Sequence, residues 1–210
     1  AMGFVESIEI SDSGEVRIGF RLPTFWCSPN FAFLMAHDMR EAVEGLDWVR
    51  HAEIALANHC NAEEINHGID GNLSFAETFP GQTEAELDDL RATFRRKAYQ
   101  GRQEKILRYL MAEGYTTERL ADLTMGDLTS LVIADSKFET LRARYAEIRC
   151  EFGGPDASDD IAFTTPEGDA IDVNNFKQYL TVLRRVRINT QFNANMCKSL
   201  LDARYDSAGE

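Results

Sequence analysis

The stretch from Leu22 to Asn66, LPTFWCSPNFAFLMAHDMREAVEGLDWVRHAEIALANHCNAEEIN, constrains the fold most, because within one short span it leaves a strand, opens a helix and returns to a strand. At its front, Cys27 stands directly before Ser28 and Pro29. A serine hydroxyl can accept the orphan N–H groups of a helix start, and proline suits the first helical position because no N–H is needed there. From Pro29 to about Glu44 the apolar residues Phe31, Leu34, Met35, Met39, Ala42 and Val43 recur at roughly helical spacing, and Gly45 is placed to end the helix. Cys27 is therefore expected at a strand-to-helix turn. The free N–H groups and dipole of such a turn favour an anion, which suits Cys27 to metal ligation or nucleophilic attack. The opposing reading is simple packing, because free cysteines are among the most buried residues. His37 and Asp38 fall away from the apolar stripe and read as a solvated helix face rather than as ligands.

Two alternating runs, Val5–Ile10 and Glu15–Leu22, flank Ser11-Asp12-Ser13-Gly14, which is a hairpin pattern. Val16, Ile18, Phe20 and Leu22 share one face of the second run. Beyond the helix, Asp47–Leu56 reads as a strand with Val49, Ala52, Ile54 and Leu56 as its buried candidates. A helix between two strands of one sheet implies a crossover and parallel pairing, so both strands exit at the same edge. Cys27, His59 and Cys60 are then expected to converge, and thiolate plus imidazole suits zinc, iron or an iron–sulfur cluster. Glu63 and His67, four apart on one helical face, could add a carboxylate and an imidazole. Against that, Asn61 followed by Glu64 is a capping-box-like helix start, and acidic residues favour a first helical turn in any case. Two thiols fall short of the ligand set of a permanent cluster, so a transient site, or one completed by a second subunit or a client, fits better.

The succession of VRIGFRL, then P-T-x-x-C, an amphipathic helix and the strand VRHAEIAL resembles the iron–sulfur or metal–sulfur cluster assembly domain family (PaaD- and SufT-like). The forms PTFWCSPNF and NHCNAEEIN resemble the actinobacterial members associated with binuclear-iron monooxygenase operons. The resemblance covers about the first third of the chain. It implies a small ferredoxin-like β-β-α-β domain, a site cysteine at Cys27, and a role in maturing metalloproteins rather than in turning over a metabolite.

The expected class is α+β, with the ferredoxin-like domain over residues 1–72 and a mainly helical region, a candidate partner-docking module, over 73–210. Gly68–Gly81 carries the loop composition expected of the boundary. Beyond it, Glu84 to about Glu113 reads as a helix interrupted at Gly101, Leu128–Phe152 as another, and Asn174 or Asn175 onward as a last one with a break near Asn189. Thr116-Thr117-Glu118 and Thr124-Met125-Gly126-Asp127 look like helix starts, and Ile161–Thr165 with Ala170–Val173 like a small hairpin. Gly153–Asp160 is a loop by composition. Arg95, Arg96, Lys97 and Arg102 read as a solvated basic face or a docking patch for an acidic partner. Cys150 and Cys197 read as packing residues.

A net charge of −13 opposes binding driven by counterion release from phosphates, so nucleic acid is not an expected partner. No apolar run suits a bilayer and no secretory pattern opens the chain, so no membrane association and a cytoplasmic location are expected; Ala1 before Met2 reads as a remnant of tag removal. Four irregularly spaced cysteines without a C-x-x-C pair indicate neither a zinc ribbon nor a disulfide framework. Nucleotide-binding, hydrolase-elbow and zinc-protease motifs are absent, and no enzyme is expected. The leading expectation is a maturation factor that transiently binds iron or an iron–sulfur cluster, with zinc a further candidate metal, and serves a client metalloenzyme such as an oxygenase. A homodimer is compatible with it. The alternatives are a metal-free accessory or chaperone protein for an oxygenase and, third, a thiol- or metal-dependent hydrolase.

Overall fold

Alternation in the first two apolar runs becomes an antiparallel hairpin, β1 (Val5–Ile10) and β2 (Glu15–Arg21), in the computed structural model, which describes residues 2–153 and 158–205. The turn needs Gly14, because its φ is +83° and a Cβ there would lie 2.6 Å from the Trp48 carbonyl oxygen. Helix α1 (Pro29–Glu44) follows and ends at Gly45. Strand β3 (His51–Ala57) then pairs parallel with β2, giving a three-stranded sheet of order β1-β2-β3. The chain is thus α+β, with a small sheet followed by mostly helical structure.

Register carries the apolar alternation into the core: Val16 lies beside Ala52, Ile18 beside Ile54 and Phe20 beside Leu56. Facing them, α1 buries Ala32, Phe33, Leu34 and Ala36. The expected stripe is therefore shifted, with Phe33 fully buried and Ala42 exposed. Fully burying side chains such as Phe20, Phe33 and Ile54 stabilises by about 1.5–3 kcal/mol each relative to leaving them in water. Helix α2 (Ala62–Asp70) adds Ile65 and Ile69, and the short α3 (Phe75–Thr78), held by a Ser74–Glu77 capping box, adds Phe75. The opposite sheet face is polar, with Arg17 paired to Glu53 at 2.8 Å and Arg21 to Glu6 at 3.1 Å.

The chain divides into two compact units, one of residues up to Ala92 together with those from Asn193 onward, the other of Thr93–Phe192. The expected 72/73 boundary does not coincide with this division. The long helices α4 (Glu84–Ala112) and α8 (Phe176–Tyr205) each contribute residues to both units, and neither breaks at Gly101 or Asn189 as expected. In the second unit, α5 (Thr117–Ala121) and α6 (Met125–Ser130) begin at the expected threonines, Thr116 and Thr124. The single helix expected over Leu128–Phe152 is instead α6 and α7 (Ser136–Gly153). Its break has a tertiary cause: Arg142 on α7 donates to the carbonyls of Thr129 at 2.7 Å and Leu131 at 2.8 Å, satisfying groups left open where α6 ends. The expected hairpin is reduced to a bridge between Thr164 and Ala170. The three arginines of the basic run are paired within their own unit, Arg95 with Glu151, Arg96 with Glu167 and Arg102 with Glu147. The expected Gly153–Asp160 loop lies partly outside the described residues. Among the described residues no helix is long and apolar enough to cross a membrane.

Candidate thiol site at the sheet exits

Because β2 and β3 run parallel with Arg21 beside Ala57, the two segments that leave them start side by side. Leu22 and Pro23 stay buried, and the chain then turns through Thr24-Phe25-Trp26 to Cys27. Across from it, Asn58 takes a φ of +54°, a left-handed conformation that asparagine tolerates better than most residues, and delivers His59 inward. The two segments are tied by backbone and ring: the Cys60 N–H donates to the Phe25 carbonyl at 2.8 Å, and His59 Nε2 lies 2.7 Å from the Cys27 carbonyl oxygen. The Asn61 N–H donates to His59 Nδ1 at 3.1 Å. Nδ1 therefore carries a lone pair and Nε2 the proton, so His59 is a neutral donor to Cys27.

With both ring nitrogens occupied and only 5% exposure, His59 stitches two loops together. Cys27 is half-buried at the start of α1, its sulfur 3.1 Å from the Thr24 hydroxyl. Ser28 occupies the cap position, but its hydroxyl makes no cap bond and contacts Asn30 Oδ1, which itself accepts the Phe31 N–H at 2.8 Å. Asn30 thus takes the third-position N–H that a cap at Ser28 would otherwise accept. Cys60 is exposed, its thiol 3.3 Å from Asn61 Oδ1. That contact occupies the side chain expected to cap α2, and Asn61 makes no side-chain cap bond. Glu63 and His67 lie on the exposed side of α2. Among the described residues, Cys27, His59, Cys60, Glu63 and His67 do not bring three ligand atoms within 4.8 Å of one another.

Cys197 on α8 is the group that local sequence patterns did not connect to this site. Its thiol is half-buried, and burial together with the neighbouring Cys27 pushes it above the ordinary cysteine range. The end of α8 is fastened to the same place by Arg204, which donates to the carbonyls of Leu22 at 3.2 Å and Asn58 at 2.8 Å. Its neighbour Tyr205 lies under the Arg21 guanidinium, 3.9 Å from carbon to ring centre. Cys27 and Cys197 are half-buried and Cys60 is exposed. On the outer side of the Cys27 turn, Phe25 and Trp26 meet edge to face at 5.9 Å, with Trp26 76% exposed. No local signal in the sequence marks Cys197.

A separate group of three potential ligands, His37, Asp38 and Glu41, lies at the surface of α1. Arg91 already stands over it, with Nη2 3.2 Å from Asp38 and 3.4 Å from His37 Nδ1. The guanidinium brings a positive charge to this exposed acidic group. No family model, curated protein or solved structure matches the chain.

Proposed function

We propose that this protein is a maturation factor that takes up iron or an iron–sulfur species as cargo through Cys27 and passes it to a metalloenzyme client, a binuclear-iron oxygenase being the leading candidate. The observation that carries this reading is the half-buried Cys27 thiol at a helix start, with the Thr24 hydroxyl at 3.1 Å and the exposed Cys60 on the segment bonded to Phe25. Thiolate sulfur suits iron and zinc, and a small set of thiols with one side toward solvent suits loading and release better than retention. The exposure of Cys60 on the adjoining segment supports a part for it in exchange. In this reading the β-β-α-β segment corresponds to a ferredoxin-like assembly domain, and His59 holds the site's shape.

Anaerobic reconstitution with iron and sulfide tests it. Wild type develops visible sulfur-to-iron absorption, Cys27→Ala does not, and Cys197→Ala retains a weaker signal. Metal-free spectra that are identical in wild type and Cys27→Ala would sink the proposal. The exposure of Phe25 and Trp26 supports a second reading, a metal-free accessory protein that docks its oxygenase through these rings. In that case co-purification with the oxygenase survives Cys27→Ala and is lost in Trp26→Ala.

A further inference from the structure

Strand β1 lies at the margin of the sheet and every one of its residues is exposed. The Ser11 N–H donates to the Glu15 carbonyl at 2.9 Å, which marks that pair as hydrogen-bonded. In an antiparallel ladder bonded and non-bonded pairs alternate, so Glu9–Arg17 is bonded, whereas Ile10–Val16 and Ile8–Ile18 are not. The N–H and C=O groups of Ile8 and Ile10 therefore point away from β2, and no other strand among the described residues pairs with that edge. Side chains directly opposite share a face, which puts Ile8 beside Ile18 and Ile10 beside Val16. Ile18 and Val16 are 6% and 4% exposed, while Ile8 and Ile10 are 60% and 62% exposed, so the covered apolar face runs out at β1.

The other margin of the sheet is capped at Leu56. On β3, the Leu56 N–H donates to Asn66 Oδ1 at 2.8 Å and the Leu56 carbonyl accepts from Asn66 Nδ2 at 3.1 Å, so one side-chain amide takes the place of a neighbouring strand. Edges that carry no partner are usually blunted by lysine, proline or irregularity. Here the bulge between Val5 and Ser7 interrupts the first part of β1, and Ile8–Ile10 is left regular and apolar.

We infer that Ile8–Ile10 is the docking edge for an extended segment of another protein in which apolar residues alternate with lysine or arginine. The backbone groups at Ile8 and Ile10 require an extended strand, and their side chains require apolar partners at every second position of it. Between them Glu9 projects from the opposite face, in a chain of net charge −13, and Arg17 beneath it is already held by Glu53. A cationic segment complements this edge, whereas a second copy would bring its own Glu6 and Glu9 against it. The inference does not depend on the thiol reading.

The test is fluorescence anisotropy with the 210-residue chain and a short fluorescein-labelled peptide of alternating valine and lysine, against a scrambled peptide of the same composition. The alternating peptide binds at least about tenfold more tightly than the scrambled one. Ile10→Pro removes one outward N–H, leaves the β1–β2 ladder intact, and weakens binding by about tenfold or more, with the far-UV spectrum unchanged. If that variant loses its spectrum, Ile10→Lys decides, since it keeps the backbone and is expected to lose a similar factor by charge repulsion. Cys27→Ala binds as wild type does. Equal affinity for the two peptides overturns the inference, as does wild-type affinity in the deciding variant or a loss that follows Cys27→Ala. Light scattering that shows a wild-type dimer abolished by Ile10→Pro would assign the edge to a second copy instead.

Discussion

His59 is a ligand by residue type and a tie by position. Its ring spans from the Cys27 carbonyl to the Asn61 N–H, so removing it leaves two groups without partners where water has little access. His59→Ala is expected to cost about 2 kcal/mol of stability in urea denaturation, the usual cost of orphaning partly buried polar groups. The same variant should keep the iron–sulfide absorption of any refolded protein, because the thiols stay. A ligand role would show the reverse pattern, with stability nearly unchanged and absorption lost. The contrast between His59 and His67 follows from environment alone, since one ring is buried between two segments and the other projects from an exposed helix face.

Several elements of this fold depend on carboxylates at their first turns. Glu77 takes the Ser74 N–H and hydroxyl, Asp127 takes those of Thr124, and both carboxyls are held below their usual range by these bonds. A depressed folded pKa contributes stability above the unfolded value of about 4 and loses it as pH falls through the folded value. The urea midpoint should therefore drop on acidification below about pH 4, and Glu77→Gln with Asp127→Asn should flatten that limb. Between α4 and the segment before α7, the Tyr109 hydroxyl donates to Asp135 at 2.7 Å, which pushes Tyr109 up to about 12 and Asp135 down. A raised folded pKa works the other way: its contribution is complete below the ordinary tyrosine value and fades as pH rises toward 12. Tyr109→Phe should accordingly remove part of the alkaline loss of stability. The split of the expected 128–152 helix belongs to this scale too, because apolar spacing continues across Leu131–Ile133 while Arg142 draws the intervening carbonyls out of a helix.

Across the whole molecule, the unit that holds the sheet is completed from the far end of the chain. Leu201 is buried in it, and Arg204 bonds the carbonyls of both strand exits. Truncation after Phe192 should therefore raise amide exchange around Gly19–Cys27 and Ala55–Asn61 by about tenfold or more, measured by hydrogen-exchange mass spectrometry. Protection unchanged in the truncated chain would mean that the last turns of α8 are only an attachment. The amino-acid sequence by itself determined the hairpin, the helix from Pro29 to Gly45, the parallel return strand and the helix starts at Thr116 and Thr124. Those signals are periodicities and caps, which act between neighbours and are readable without knowing what lies opposite. Only the tertiary structure decided that both ring nitrogens of His59 are already engaged, that Arg204 near the end of α8 bonds both strand exits, and that the units divide within helices and not at the Gly-rich loop. Each of these depends on which distant group arrives to take a hydrogen bond or cover a surface, and a local pattern of polar and apolar residues carries no record of that arrival.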